Sequence, residues 1–303
     1  MVRPATFGYN PETAVTNSFQ QQPAAPAGGA EAASARNELD GLAAALASEG
    51  VSVCVADDTP EPPKPDAVFP NNWVSFHEDG TVVLYPMQAE SRRPERRRDV
   101  IAAVEARLGF KVTRTLDLTD HEAYRRYLEG TGSLVLDHTE RTAYACLSPR
   151  TDPLVVGIWC RALGYEPELF TAVDRAGVPI YHTNVLLCIG ERVAVVGTDA
   201  IVPADRGRVI ERLRGTGREV IEIGHGEIER FAGNMLELGS WDEALGDCRV
   251  LVMSDAARHA LQPEAFARLS ACTDQVLAVP VATIERLGGG SVRCMLAEVF
   301  LPA

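Results

Sequence analysis

The sequence has no long apolar segment and no apolar core behind its first methionine. No run of apolar residues approaches the roughly 20 that a membrane-spanning helix requires. The opening MVRPATFGYNPET also lacks the pattern of a secretory signal. We therefore expect neither a membrane partner nor export.

Cysteines in paired motifs are missing as well. The seven cysteines are an odd number, include no C-x-x-C pair and have no histidine at zinc-like spacing. Most lie in apolar runs such as VSVCVA and VLLCIG, where a free thiol packs as a small hydrophobic group. The pattern predicts a reduced, cytoplasmic protein without disulfides or a structural metal.

Positive charge is scarce, since 29 Lys and Arg residues stand against 42 Asp and Glu residues and the net charge is −13. Such a surface repels phosphate backbones and anionic lipids, so neither nucleic acid nor a membrane is an expected partner. One basic run departs from this balance: Arg92, Arg93, Arg96, Arg97 and Arg98. We interpret it as a solvated face where a helix, predicted over about residues 95–108, begins.

The remaining composition, 46% apolar and 23% charged residues in 303, is typical of globular proteins. Short β-branched strands such as VSVCVA and WVSFH alternate with helical segments, which indicates an α/β fold. A loop is predicted over residues 19–36. Helices are predicted at about 35–49, 95–108, 152–163, 205–214, 225–231 and 262–270.

A repeat is visible among the strands. A small or polar residue precedes an apolar strand five times, at Asn72, Ser133, Asn184, Asn234 and Cys294, and subtraction gives intervals of 61, 51, 50 and 60 residues. Similar units that cannot bury their apolar faces alone are expected to pack side by side. We predict five α/β units in a ring, with all strand starts at one centre, although polar residues also precede strands in other α/β proteins.

The residues near these strand starts can perform covalent chemistry. Cys294 follows three glycines, which let the backbone approach a ligand closely, and the neighbouring Arg293 can lower the pKa of a thiol. His182 and Glu129 lie near two other strand starts. Together they would supply a nucleophile, a general acid/base and an orienting carboxylate.

Five motifs occur in a fixed order along nearly the whole chain: PDAVFPNNW, LEG before a strand, LSPRT, YHTNV and GGGSVRCM. In this order the sequence resembles the guanidine-modifying or pentein superfamily, which includes arginine deiminases, dihydrolases and amidinotransferases. The opening MVRPATFGYNPETAVTNSFQ and FPNNWVSFH most resemble its citrulline-utilisation hydrolases. The resemblance implies one catalytic domain over residues 1–303, folded as a five-unit α/β propeller.

The resemblance also implies site roles, without a metal or an organic cofactor. Cys294 would be the nucleophile, His182 the general acid/base, and Glu129 the carboxylate beside that histidine or a substrate nitrogen. Residues that would surround the planar head group of a small amino-acid substrate are Asp66, Asn71, Asn72 and Asn184. Arg150 and Arg293 are candidates for its α-carboxylate, because an arginine fork grips a carboxylate with two hydrogen bonds.

Two amides favour citrulline as the substrate. Related deiminases carry acids where this chain has Asn72 and Asn184, and amides offer no charge to compensate a buried guanidinium. Hydrolysis of citrulline to ornithine, ammonia and CO2 is therefore the leading hypothesis. Because Asp66 and Glu129 could supply charge, arginine deiminase or dihydrolase activity is the alternative, followed by amidinotransfer and a non-catalytic binding module. The sequence predicts no oligomeric state.

Overall fold

Four three-stranded sheets repeat one topology along the chain. In the computed structural model, which describes residues 1–23, 29–243 and 246–302, the first two strands of each sheet are antiparallel and the third is parallel to the second. The sheets are β3 (Val74–Phe76), β4 (Thr81–Leu84) and β5 (Arg114–Asp117); β6 (Leu134–Asp137), β7 (Thr142–Cys146) and β8 (Glu166–Phe170); β9 (Leu187–Ile189), β10 (Val193–Gly197) and β11 (Glu219–Ile223); and β12 (Leu236–Asp242), β13 (Gly246–Ser254) and β14 (Gln275–Val279).

A fifth unit contains both ends of the chain. Its strands β1 (Val2–Arg3) and β2 (Ala56–Asp57) pair in parallel. Residue Val299 near the C-terminus forms a single parallel bridge to Phe76. The strand expected after Cys294 is reduced to this bridge. The expected strand VSVCVA is paired only from Ala56 onward.

A helix of at least nine residues lies between the two parallel strands of every unit, since a tight turn cannot join parallel strands. These helices are α2 (Gly29–Ser48), α3 (Arg98–Leu108), α5 (Pro153–Leu163), α6 (Pro203–Gly215) and α9 (Pro263–Ala271). The shorter helices are α1 (Pro11–Ala14), α4 (Gly130–Ser133), α7 (His225–Ile228), α8 (Asp255–Ala260) and α10 (Ala282–Gly288). Short 3-10 turns cover Pro70–Asn72, Glu90–Glu95, Thr119–Tyr124, Thr183–Val185 and Val292–Met295.

Local sequence explains where these helices begin and end. Asp152 caps α5 by accepting hydrogen bonds from the amides of Leu154 and Val155, Pro153 occupies the first turn, and Gly164 ends the helix at a φ of 72°. Helix α3 begins at Arg98, three residues later than predicted, because the preceding turn ends at Glu95.

Helix α2 differs more from the expected structure. It starts at Gly29, six residues before the predicted 35, so its first turns replace part of the loop predicted over 19–36; residues 24–28 of that loop lie outside the described part. Its leucines at 39, 42 and 46 fall on one face and are fully buried with Val252 and Ile284. Burial of each such side chain contributes about 1.5–3 kcal/mol.

The strand starts of the five units meet, as the repeat predicts. The turn at Pro70–Asn72 packs against α4 and against the turn at Val292–Met295, and α4 packs against the turn at Thr183–Val185. Asn234, before β12, lies beside Cys294. Within the described residues, no helix combines the length and hydropathy needed to cross a membrane.

A buried ion pair joins the second and third units. Arg218, before β11, donates two hydrogen bonds of 2.5 and 3.0 Å to the Asp137 carboxylate at the end of β6. The Asp137 side chain is fully buried. Removing one partner of a buried pair leaves an uncompensated charge, which costs far more than the loss of an exposed pair.

We predict that Arg218→Ala lowers the free energy of unfolding by about 3–5 kcal/mol. Arg214→Ala is the matched control, because Arg214 belongs to an exposed pair with Glu222 and its loss should cost about 1 kcal/mol at most. Urea denaturation of both variants provides the comparison. Equal losses would show that the pair between the units does not stabilise the fold.

Candidate active site

Short turns at the unit starts carry the predicted chemical groups. Glu129 lies at the N-cap position of α4, His182 at that of the turn Thr183–Val185, and Cys294 within the turn Val292–Met295. Such turns end the regular hydrogen bonding of one segment just before the next strand. Their side chains can therefore face the common centre instead of a sheet.

Glu129 and His182 form the central pair of this site. The histidine Nε2 lies 2.9 Å from the Glu129 Oε2, and both side chains are buried. The other carboxylate oxygen accepts a hydrogen bond from the backbone N–H of Gln88 at 3.0 Å. This pair fixes the imidazole so that its Nδ1 edge is turned away from the carboxylate.

Two buried arginines surround the carboxylate. Arg150 and Arg92 approach its Oε2 to 3.5 and 3.8 Å. Burial alone would raise the pKa of Glu129, but Arg150, His182 and Arg92 together hold it far below its usual value. The carboxylate is consequently ionised across the physiological range.

The imidazole responds to burial in the opposite way. Burial lowers the pKa of His182 to about 4, although the hydrogen bond and charge of Glu129 act to raise it. The ring is therefore neutral near pH 7. A neutral imidazole can accept a proton, and the adjacent carboxylate stabilises the imidazolium that forms.

Cys294 is held between two amides. Its Sγ lies 3.3 Å from the Asn234 Nδ2 and 3.6 Å from the Asn184 Nδ2. Burial raises the pKa of the thiol, and the hydrogen bonds to these amides only partly offset that effect. The resting sulfur is therefore a thiol at neutral pH, with two donors placed to stabilise it when it ionises.

Two glycines keep the centre open. A Cβ atom on Gly132 would lie 2.5 Å from the Asn72 Nδ2 and 2.6 Å from the His182 Nδ1. Gly130 has a φ of +49° and packs against the Asn71 carbonyl. Any side chain at these positions would occupy the space next to the imidazole or strain the turn.

The thiol and the imidazole line one small cavity of about 10 Å³, which is room for about one water molecule. Asp66, Asn72 and Arg150 line it as well. The other lining residues are Thr13, Asn17, Phe69, Arg92, Tyr181, Gly288, Gly289 and Gly290. The cavity therefore brings together a thiol, an imidazole, a carboxylate, an amide and a guanidinium.

An N-terminal segment covers this cavity. Asn17 donates to the Gly289 carbonyl at 3.1 Å, and Gln20 donates to the Gly288 carbonyl at 3.1 Å. On the opposite side, Arg150 donates to the Thr13 carbonyl at 2.7 Å. Residues 13–20 thus connect the glycine loop before Cys294 with the second unit.

The predicted substrate residues differ in whether they reach the cavity. Asp66, Asn72 and Arg150 line the cavity, and Asn184 reaches it through its contact with the sulfur. Asn71 accepts a hydrogen bond from the Asn72 side chain at 3.0 Å but does not line the cavity itself.

Arg293 requires a correction. Its guanidinium donates to the Leu296 carbonyl at 2.9 Å and to Glu298 at 3.0 Å, and it lines a different cavity. Cys294 follows Arg293 within a tight turn, and the two side chains point in different directions. The structure does not bring this arginine to the proposed substrate carboxylate.

Arg92 is the residue that sequence analysis placed wrongly. It was expected on a solvated face, yet only 2% of its surface is exposed and it lines the cavity. The turn Glu90–Glu95 brings it inward, where both Glu95 oxygens accept its hydrogen bonds at 2.9 Å. The signal for this in the sequence was the acid Glu95, three residues after Arg92.

Among the described residues, no three His, Cys, Asp or Glu side chains gather as a metal site.

Several solved structures share this fold. ArgZ, described as an arginine dihydrolase from the ornithine–ammonia cycle in cyanobacteria, superposes with a TM-score of 0.74 at 18% identity, covering 100% of this chain and 40% of its own. AgrE in complex with ornithine and NAD+ gives 0.74 at 19% identity, with 100% and 39% covered. A dimethylarginine dimethylaminohydrolase adduct gives 0.59 at 16% identity, with 87% and 90% covered.

These likenesses and the repeated units define the α/β fold of the pentein type. This chain spans about 40% of the length of ArgZ. A family model described as N,N dimethylarginine dimethylhydrolase, eukaryotic, matches residues 3–301, and the chain belongs to that family. A comparison with curated protein sequences gives no match.

We predict that alkylation of Cys294 by iodoacetamide accelerates about tenfold per pH unit between pH 7 and 8.5, because a raised thiol pKa leaves the thiolate a minor species there. Peptide mass spectrometry separates this cysteine from the partly exposed Cys54 and Cys272, which serve as internal references. A rate that is already constant at pH 7 would contradict the neutral resting thiol.

Proposed function

We propose that this protein hydrolyses the guanidino carbon of an arginine-type amino acid by covalent cysteine catalysis. One observation carries the proposal: the Cys294 thiol and the His182–Glu129 pair line or adjoin the cavity that also contains the Asp66 carboxylate and the Asn72 amide. The family membership and the arginine dihydrolase among the solved neighbours support it.

The first half of the reaction forms an adduct on sulfur. His182 takes the thiol proton, and the Cys294 thiolate attacks the central guanidino carbon. The Glu129 carboxylate stabilises the resulting imidazolium, which then donates its proton to one nitrogen as the carbon–nitrogen bond breaks. Ammonia leaves, and a thiouronium remains on the sulfur.

Hydrolysis completes the reaction. Neutral His182 removes a proton from water as the water adds to the adduct carbon, and loss of the thiolate releases a ureido amino acid. A second cycle on that product expels another ammonia and leaves a thiocarbamate, whose hydrolysis gives an amine and CO2. For arginine, the sum is arginine plus two waters to ornithine, two ammonia and CO2.

The cavity contains groups complementary to both stages. Asp66 and Glu129 can pair with a guanidinium cation, which is expensive to bury without countercharge. The Asn72 amide in the cavity and the Asn184 amide beside the sulfur can instead meet a neutral ureido group. We therefore propose arginine dihydrolase-type chemistry, in which the guanidino and ureido carbons are processed in turn.

Hydrolysis of citrulline alone, favoured by the sequence analysis, is the second candidate. The amides around the sulfur and the raised pKa of Asp66, caused by burial, favour a neutral head group. The family and the solved neighbours are instead named for arginine and its methylated derivatives. For this reason we place the guanidino substrate first.

Arg150 is the proposed contact for the substrate α-carboxylate. Its guanidinium now donates to the Thr13 carbonyl and, at 2.9 Å, to the Thr16 hydroxyl. A carboxylate would have to replace these partners, so substrate binding would involve displacement of the covering segment. We further propose that residues 1–303 act as one catalytic unit in a reducing, cytoplasmic setting, which the seven free cysteines suit.

We predict that the purified protein converts arginine to ornithine and ammonia, with citrulline as an intermediate substrate. Arginine, citrulline and N,N-dimethylarginine are offered separately, and amino acids and ammonia are quantified. Cys294→Ser is the matched control and should lose turnover by at least a thousandfold without loss of fold by circular dichroism. Ornithine from citrulline but not from arginine would establish the second candidate, and activity retained in the variant would exclude covalent catalysis.

We predict that Asp66→Asn separates the two substrates. Loss of this buried carboxylate should lower kcat/KM for arginine by about tenfold or more, because a cation loses its counterion. The value for citrulline should change less than about threefold. Steady-state kinetics on both substrates checks this, and equal losses would place Asp66 in support of the fold alone.

A further inference from the structure

The buried Arg92 controls a neighbouring amide as well as supporting the fold. Its Nη1 donates to the Asn72 Oδ1 at 2.8 Å, while its Nε and Nη2 are occupied by Glu95. A guanidinium has only donors, so it pairs with the oxygen end of an amide and never with the nitrogen end. Arg92 therefore settles which way the Asn72 side chain faces.

The orientation decides what Asn72 presents to the cavity. With its oxygen on Arg92, its Nδ2 lies 3.0 Å from the Asn71 Oδ1 and borders the space beside the His182 Nδ1. One N–H is used by Asn71, and the other is available. The nitrogen end of the Asn72 amide, which is a donor, is consequently the end that borders the head-group site.

Glu95 is the nearest of three carboxylates around Arg92, and the Glu129 and Asp66 oxygens lie 3.8 and 3.9 Å away. Glu95 takes two hydrogen bonds of 2.9 Å from it, and both side chains are buried. The pair therefore holds the guanidinium in a defined geometry, which we call the clamp. Arg96 of the same basic run pairs with Glu122 in a similar way, but neither residue lines the cavity.

We infer that Arg92 is a positioning residue that selects the ureido stage of the reaction by holding the Asn72 amide with its N–H toward the head group. The inference rests on the proposed function. A fixed N–H can donate to the carbonyl oxygen of a ureido group. A guanidinium has an N–H group where a ureido group has its oxygen. Such a group cannot accept a hydrogen bond from Asn72 and needs a carboxylate as its partner.

The first test needs no substrate. In a ¹⁵N–¹H NMR spectrum, the side-chain amide of Asn72 is identified by its loss in Asn72→Ala. Arg92→Met combined with Glu95→Met removes the clamp together with the carboxylate that holds it, and Arg150 remains as the cation beside Glu129. This double variant should shift the Asn72 signal and speed its hydrogen exchange. Arg96→Met combined with Glu122→Met is the matched control and should leave the signal in place. An unmoved signal in the first variant would overturn the positioning role.

The second test measures selectivity. The Arg92→Met/Glu95→Met variant should lower the ratio of kcat/KM for citrulline to that for arginine by about tenfold, and arginine should then yield more free citrulline. In an Asn72→Ala background the same double change should have no further effect on the ratio, because Arg92 acts through that amide. Equal loss on both substrates, or additive effects in the cycle, would overturn the inference.

A variant that keeps the charge guards against misfolding. Arg92→Lys retains the cation but loses the two-sided fork, so the ratio should still fall, by a smaller factor. An unchanged ratio in this variant would show that charge rather than geometry matters and would contradict the inference. A wild-type protein inactive on both substrates would refute the proposed function and the selectivity role, while the NMR result would still decide the positioning role.

Discussion

The contact between Glu129 and His182 is the constraint on which the site depends. It joins two different units at a distance of 2.9 Å, with neither side chain in contact with solvent. An ionised carboxylate in that position is tolerable only with nearby cations, which accounts for the buried Arg150 and Arg92. The arginines in turn require their own partners, so one buried carboxylate organises contacts from the N-terminal segment to Glu95.

The repeated unit explains how such distant residues converge. Each unit starts with a short turn, and the turns rather than the strands carry the chemistry. Strand residues are occupied by ladder hydrogen bonds and alternate between two faces. Residues in a turn make no ladder hydrogen bonds. The five units can therefore place different groups at one centre while their sheets remain alike.

The sequence predicted the α/β class, the repeat and the places of Cys294, His182 and Glu129 because these features depend on local order along the chain. It could not show side-chain direction within a turn. Arg293 is next to the nucleophile in sequence, yet its guanidinium faces Glu298. Arg92 stands in a basic run that would ordinarily be solvated, and only the turn that carries it inward, toward Glu95 and Asn72, reveals its environment.

Burial of the nucleophile has a consequence for its durability. Oxidation by peroxide proceeds through the thiolate and follows exposure, so a buried cysteine that rests as a neutral thiol is a poor target for it. The desolvation that raises the pKa of the Cys294 thiol therefore also protects this thiol from oxidation.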